Sequence, residues 1–151
     1  MSEEIEFKFI SPKDSPGYLL GQLTTQWQRT QKKVLDPLNL TQTQFVLMAA
    51  LAWLSKTNEA VTQVDIAEQS NADRMMVSKV LRTLEEKQFI SRHEHPTDTR
   101  AKVIKLSTAG AKVLQEALTA VENADIAFFS VLGDNLSVYN QHMWDLIESN
   151  K

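Results

Sequence analysis

The chain contains no cysteine. Disulfides, thiolate metal ligands, thiol catalysis and cysteine-based redox sensing are therefore excluded for it. Glycine and proline are scarce, four of each in 151 residues, which favours long helices joined by short connections over a sandwich of many short strands. No run approaches the roughly 18–20 apolar residues needed to span a bilayer. The opening MSEEIEFKFI lacks the cationic start, apolar stretch and cleavage site of a secretion signal, so a cytoplasmic location is expected. A glycine-rich phosphate loop is missing, as is any Ser/His/Asp grouping that the layout brings together, and no enzymatic activity is expected. Neither an internal repeat nor a low-complexity tract divides the chain. An apolar content of 42 % suffices for one domain with its own core.

Charge is distributed unevenly. Residues 73–105 hold eight cations (Arg74, Lys79, Arg82, Lys87, Arg92, Arg100, Lys102, Lys105) against five acids (Asp73, Glu85, Glu86, Glu94, Asp98). That segment is therefore +3 within a chain of net −3, and the remainder is −6. A basic segment inside an acidic chain points to one polyanion-facing surface; a solvated face without a partner is the alternative.

Periodicity sets the order of elements. Ile5, Phe7 and Phe9 alternate as in an extended arm, which is too short to stand alone and must pack on its own domain or on a second subunit. Ser15-Pro16-Gly17 opens a helix, with Leu19, Leu20, Leu23, Trp27 and Val34 recurring at helical spacing until Asp36-Pro37-Leu38-Asn39 interrupts it. Thr41 to Gln44 forms a capping box before FVLMAALAWL, a run apolar all round that predicts a surrounded, central helix. Thr62 caps a helix over Gln63–Ser70 with Val64, Ile66 and Ala67 inward. Asp73 caps another running to about Lys87, with Met76 or Val77, Val80, Leu81 and Leu84 buried. The three residues between them, Ser70-Asn71-Ala72, match a helix-turn-helix corner, and Asn71 can take the left-handed conformation. Two strands, Phe89–Glu94 and Lys102–Leu106, enclose the polar loop His95–Ala101. Ser107 caps a long helix carrying Val113, Leu114, Ala117, Leu118, Val121, Ala124, Phe128 and Phe129. Gly133-Asp134-Asn135 breaks it before a last helix with Leu136, Tyr139, Met143, Leu146 and Ile147. The expected class is mainly α (α+β): a winged helix-turn-helix lobe, with apolar terminal helices that pack on a twofold mate.

With Val80, Leu81 and Leu84 inside, the second helix of the corner turns Arg74, Met75, Ser78, Lys79 and Arg82 outward. Arg74 and Lys79 can donate to guanine O6 and N7, Ser78 to a base or a phosphate, and Met75 can lie on a thymine methyl; Lys79 and Arg82 suit phosphates equally. The hairpin loop adds Asp98, Arg100 and Lys102. Arg100 suits the negative potential of a minor groove, and Asp98 makes sense there as its brace. An exposed helix with ordinary surface cations is the competing reading. His93 and His95, two apart with Glu94 between them, raise a metal site, but zinc wants three or four ligands and His142 is distant in sequence. No metal or other cofactor is expected.

Several stretches together resemble the MarR (multiple antibiotic resistance regulator) family of bacterial transcription factors, over nearly the whole chain. They are Val64-Asp65-Ile66-Ala67-Glu68, the run Val77 to Glu85, Asp98-Thr99-Arg100, and Val103 to Gly110 with its Leu106-Ser107 step. Gln88 departs from the glycine that many members carry there, and Ser107 replaces the usual threonine. The resemblance implies a single domain over 1–151, with a winged helix-turn-helix lobe at 41–106 and a dimerisation region at 1–40 and 107–151. It implies a homodimer on a pseudo-palindromic double-stranded DNA operator, usually as a repressor. Recognition helices enter major grooves and wings touch the flanking minor grooves. It further implies release by a small aromatic or phenolic effector between the dimerisation helices and the DNA-binding lobe. Tyr18, Trp27, Met48 and Trp53 are the candidates to line that crevice, with plain core packing as their alternative. Two other classes stay open at this point: a winged-helix module meeting an acidic protein, and a metal-responsive switch through His93 and His95.

Overall fold

A computed structural model describes residues 3–151. Five of the six α-helices among the described residues begin where a side chain satisfies an orphan backbone donor. Ser15 caps α1 (Pro16–Leu35), and Thr41 and Gln44 make a reciprocal capping box for α2 (Gln42–Leu54). Thr62 and Asp65 do the same for α3 (Gln63–Ser70), Asp73 caps α4 (Arg74–Glu86), and Ser107 caps α5 (Thr108–Phe128). A 3-10 turn over Asp36–Leu38 separates α1 from α2, and another over Ser130–Asn135 precedes α6 (Leu136–Ser149). Gly133 takes φ +51 there, ending the long helical path.

Strands β1 (Ile90–Glu94) and β2 (Lys102–Leu106) pair antiparallel, with Ile90 opposite Leu106 and Glu94 opposite Lys102. The Ile104 N–H donates to the Val61 carbonyl at 2.8 Å, and Thr62 bridges Val103, so the residues before α3 form the rudiment of a third strand.

The core gathers around α2, which contacts α1, α3, α4, α5 and β2. Leu47, Met48 and Leu51 of α2 are buried with Leu35, Val61, Ile66, Val77, Leu81, Leu84 and Ile104. The expectation that α2 is surrounded holds for only part of its girth. Val46 and Trp53, seven residues apart and hence on one line of the helix, face outward, with Trp53 60 % exposed. Val64 also departs from expectation, at 41 % exposure. Residues two apart on a helix point about 200° away from each other, so Val64 cannot share the inner face with Ile66. Val77 rather than Met76 takes the buried position, and Val80 is half-buried. The first strand begins one residue later than the sequence predicts, at Ile90.

The arm does not bury its side chains on its own protomer: Phe7 and Ile10 lie open, Ile10 completely. Leu19 and Leu20 at the start of α1, and Trp144, Leu146 and Ile147 on α6, are likewise exposed. Between α1 and α5 one polar knot is set into the packing. The Asp125 Oδ1 accepts from Trp27 Nε1 and from Gln31 Nε2, each at 2.9 Å.

Candidate nucleic-acid interface

The corner between α3 and α4 turns on Asn71, whose φ of +51 and ψ of +44 place it in the left-handed region. Asparagine tolerates this better than most side chains. The Ala72 N–H then closes on the Ala67 carbonyl at 3.0 Å, and Asp73 Oδ2 accepts the Met76 N–H at 2.9 Å to start α4. Val77, Leu81 and Leu84 fix the inner face. The outer face presents Arg74, Met75, Lys79 and Arg82, with Met75 82 % exposed although apolar. Ser78 is half-buried, and its Oγ accepts from Arg82 Nη2 at 3.4 Å.

Not every cation of the basic segment is available to a polyanion. Lys87 Nζ donates to the Asn39 carbonyl at 2.7 Å and to Gln44 Oε1 at 3.1 Å, stapling the end of α4 to the start of α2. Arg92 Nε lies 3.6 Å from Glu85 and ties β1 to α4. Lys102 pairs with Glu94 across the hairpin, and its hydrogen bond and charge hold the Glu94 carboxyl below the usual carboxylate range. Lys102 was expected in the DNA-binding set, but its ammonium is committed to Glu94 here. Among the described residues Arg74, Lys79 and Lys105 meet no carboxylate at ion-pair distance.

The hairpin tip carries a cation that stands almost wholly in solvent. The Arg100 side chain is 92 % exposed, and its Nε sits 3.7 Å from Asp98 Oδ1. The same oxygen accepts the Arg100 backbone N–H at 2.9 Å, so Asp98 braces the loop as well as the guanidinium. His95 Nδ1 accepts the backbone N–H groups of Thr97 and Asp98, at 3.2 and 3.0 Å. His93 Nε2 lies 2.7 Å from Ser91 Oγ. The two histidines are thus engaged within the hairpin, and no group of three or more metal-ligating side chains forms among the described residues. Sequence reasoning missed the roles of His95, Lys87 and Glu94. The only signal for His95 was its place before Pro96 and Thr97, where a turn needs a side-chain acceptor.

A model of the MarR family matches residues 40–102, the span from the start of α2 to the returning strand. A Bacillus subtilis (strain 168) protein, the uncharacterized HTH-type transcriptional regulator YdcH, is 43 % identical over 123 residues, covering 82 % of this chain and 84 % of its own. The chain belongs to the MarR family. It is accordingly a winged-helix transcriptional regulator of the DNA-binding kind and not an enzyme. Solved structures share this MarR fold. S. aureus MepR in complex with DNA is 22 % identical, with a TM-score of 0.82 over 93 % of this chain and 100 % of that one. CouR from Rhodococcus jostii RHA1 bound to p-coumaroyl-CoA is 24 % identical, with a TM-score of 0.79 over 93 % of this chain and 94 % of that one.

The four residues expected to line an effector crevice in this MarR chain stand in different surroundings. Tyr18 borders a hollow of about 320 Å³ formed with Phe7, Phe9 and Ile10 of the arm. Trp27 is half-buried against Asp125. Met48 is wholly buried in the core, facing away from the outer line of α2, which removes it from any open crevice in this conformation. Trp53 is exposed, with Lys56 Nζ 4.5 Å from its ring centroid. No helix among the described residues is long and apolar enough to cross a membrane.

Proposed function

We propose that the protein is a homodimeric repressor that binds a pseudo-palindromic operator, with α4 in the major groove and the wing tip in the adjacent minor groove. The observation that carries this reading is the division of labour on α4. One face is locked into the core by Val77, Leu81 and Leu84, while Arg74, Met75 and Lys79 stand free beside the wing that projects Arg100. Arg74 and Lys79 read bases, Ser78 and Arg82 hold phosphates, and Arg100, braced by Asp98, enters the minor groove. Lys102 joins only by leaving Glu94. The lobe at 41–106 meets DNA, and residues 1–40 and 107–151 hold the protomers together. Support for the dimer comes from the apolar surface that one protomer leaves uncovered on the arm, on the start of α1 and on α6. A small aromatic effector binding between the dimerisation helices and the lobe relieves repression, a role supported by exposed Trp53 beside Lys56 and by the ligand held by CouR.

Selection of bound sequences from random DNA tests the reading. A two-fold symmetric site with half-sites about one helical turn apart is expected. Arg100→Ala should weaken binding across sequences and lower the salt slope by about one, whereas Arg74→Ala should cost about 1–3 kcal/mol at one base position and relax preference there. Salt-independent retention, or no enrichment of any sequence, would refute it.

A further inference from the structure

We propose that His95 is a positioning residue for the wing, its neutral imidazole holding the backbone turn that presents Arg100. The inference rests on the DNA-binding reading of the wing and adds a residue to it. Two backbone N–H groups, of Thr97 and Asp98, converge on Nδ1 at 3.2 and 3.0 Å. Asp98 then passes the constraint on. Its Oδ1 accepts the Arg100 N–H at 2.9 Å and lies by the guanidinium at 3.7 Å, and its carbonyl accepts the Ala101 N–H at 3.2 Å. Ring, carboxylate and guanidinium thus form one chain of contacts through the loop. Pro96 stiffens the turn by fixing its own φ near −65°.

The ring does here what the oxygen of a short Asn or Asp side chain does at the start of a turn. An Nδ1 that accepts two N–H donors carries no proton, so the imidazole proton sits on Nε2. An Asn at this position places its Oδ1 close to where Nδ1 lies, whereas a Gln carries its polar group one bond farther out. A merely electrostatic role, in which the ring lends positive charge to a phosphate-facing loop, predicts a different pattern. Asn and Ala would then be equivalent, because neither can be charged.

The test compares His95→Asn, His95→Gln, His95→Ala and Arg100→Ala in the full-length protein. DNA affinity on a selected operator is measured together with amide hydrogen exchange at residues 97 and 98 and, in the parent, the imidazole ¹⁵N shifts. The parent ring should show an unprotonated Nδ1. The Ala and Gln variants should lose exchange protection at both amides and bind DNA about three- to tenfold more weakly, as expected for losing one or two neutral hydrogen bonds. The Asn variant should stay within about twofold of the parent, by the same reasoning. Equal weakening of Asn and Ala overturns the proposal, as does a proton on Nδ1. So does full affinity of His95→Ala when Arg100→Ala is weak. If Arg100→Ala itself binds like the parent, the wing's role on DNA falls and the positioning role falls with it, even if the exchange data still show the brace.

Discussion

Gly110 offers the sharpest test of how the wing is joined to the rest of the molecule. It occupies the first turn of α5, where a Cβ would stand 2.0 Å from the Phe89 carbonyl oxygen, 2.8 Å from its carbon and 3.1 Å from its Cα. Ordinary contact is roughly 3.5 Å, so Gly110→Ala requires the seam between α5 and the base of β1 to open by more than an ångström. The obstruction is backbone, which cannot rotate aside. Overpacking of this kind costs about 1–3 kcal/mol and occasionally more. The same carbonyl accepts the Ser107 N–H at 3.0 Å, while Ser107 Oγ donates to the Gln88 carbonyl at 2.6 Å. Stretching one such bond forfeits about 1 kcal/mol. Against this, alanine gains about 1 kcal/mol over glycine inside a helix. The balance is a loss of about 1–3 kcal/mol, a sizeable share of the roughly 5–15 kcal/mol available to a folded domain. Urea unfolding followed by circular dichroism measures it, at fixed protein concentration because self-association is linked to stability. The midpoint should fall with little change in slope. A Gly110→Ala protein as stable as the parent would show that the seam gives way freely, and the argument from close approach would be wrong.

The same seam yields a change of opposite sign. Gln88 sits at φ +66, so Gln88→Gly should raise stability by about 0.5–1 kcal/mol in the same assay, relief of the left-handed strain outweighing the added freedom of the unfolded chain. Thr62→Ala removes one half of the α3 capping box and should cost about 1 kcal/mol. Leu84→Ala, at a position with no solvent exposure, should cost about 2–5 kcal/mol through the cavity it leaves. Glu94 is held below the ordinary carboxylate range by its hydrogen bond to Lys102 and by that residue's charge. Its small stabilising contribution is therefore present at neutral pH and is lost as the pH falls through the lowered value. A carboxylate ¹³C titration should show the midpoint returning to the ordinary value in Lys102→Met.

Local chemistry made most of the helix boundaries legible in the sequence. Ser15, Thr41, Thr62, Asp73 and Ser107 are all caps, and each was readable because a short polar side chain stands before an apolar periodic run. Asn71 was readable as the corner for the same kind of reason, a residue tolerant of positive φ in a three-residue link. Long-range pairings were not. That Lys87 reaches Asn39 and Gln44, or that Lys102 is taken by Glu94, depends on how elements dock, and single-residue propensities say nothing about that. Val64 was misplaced because a short helix offers only two or three inward positions, and counting apolar residues overfills it. The differing exposure of two of the crevice candidates follows from helix geometry. Met48 and Trp53 sit on one helix at a separation of five, about 140° apart, so burial of one leaves the other outside.

The contact between Trp27 and Asp125 also gives the molecule an internal optical reporter. Of three indoles, Trp53 and Trp144 are exposed on the single chain, with lysine ammonium groups 4.5 and 5.8 Å from their rings. Only Trp27 is half-buried and hydrogen-bonded to a carboxylate on another helix. Sliding or parting of α1 and α5 would break that bond and change the polarity around one chromophore. In a protein with Trp53 and Trp144 replaced by phenylalanine, the emission maximum would follow the register of those two helices directly, without an attached dye.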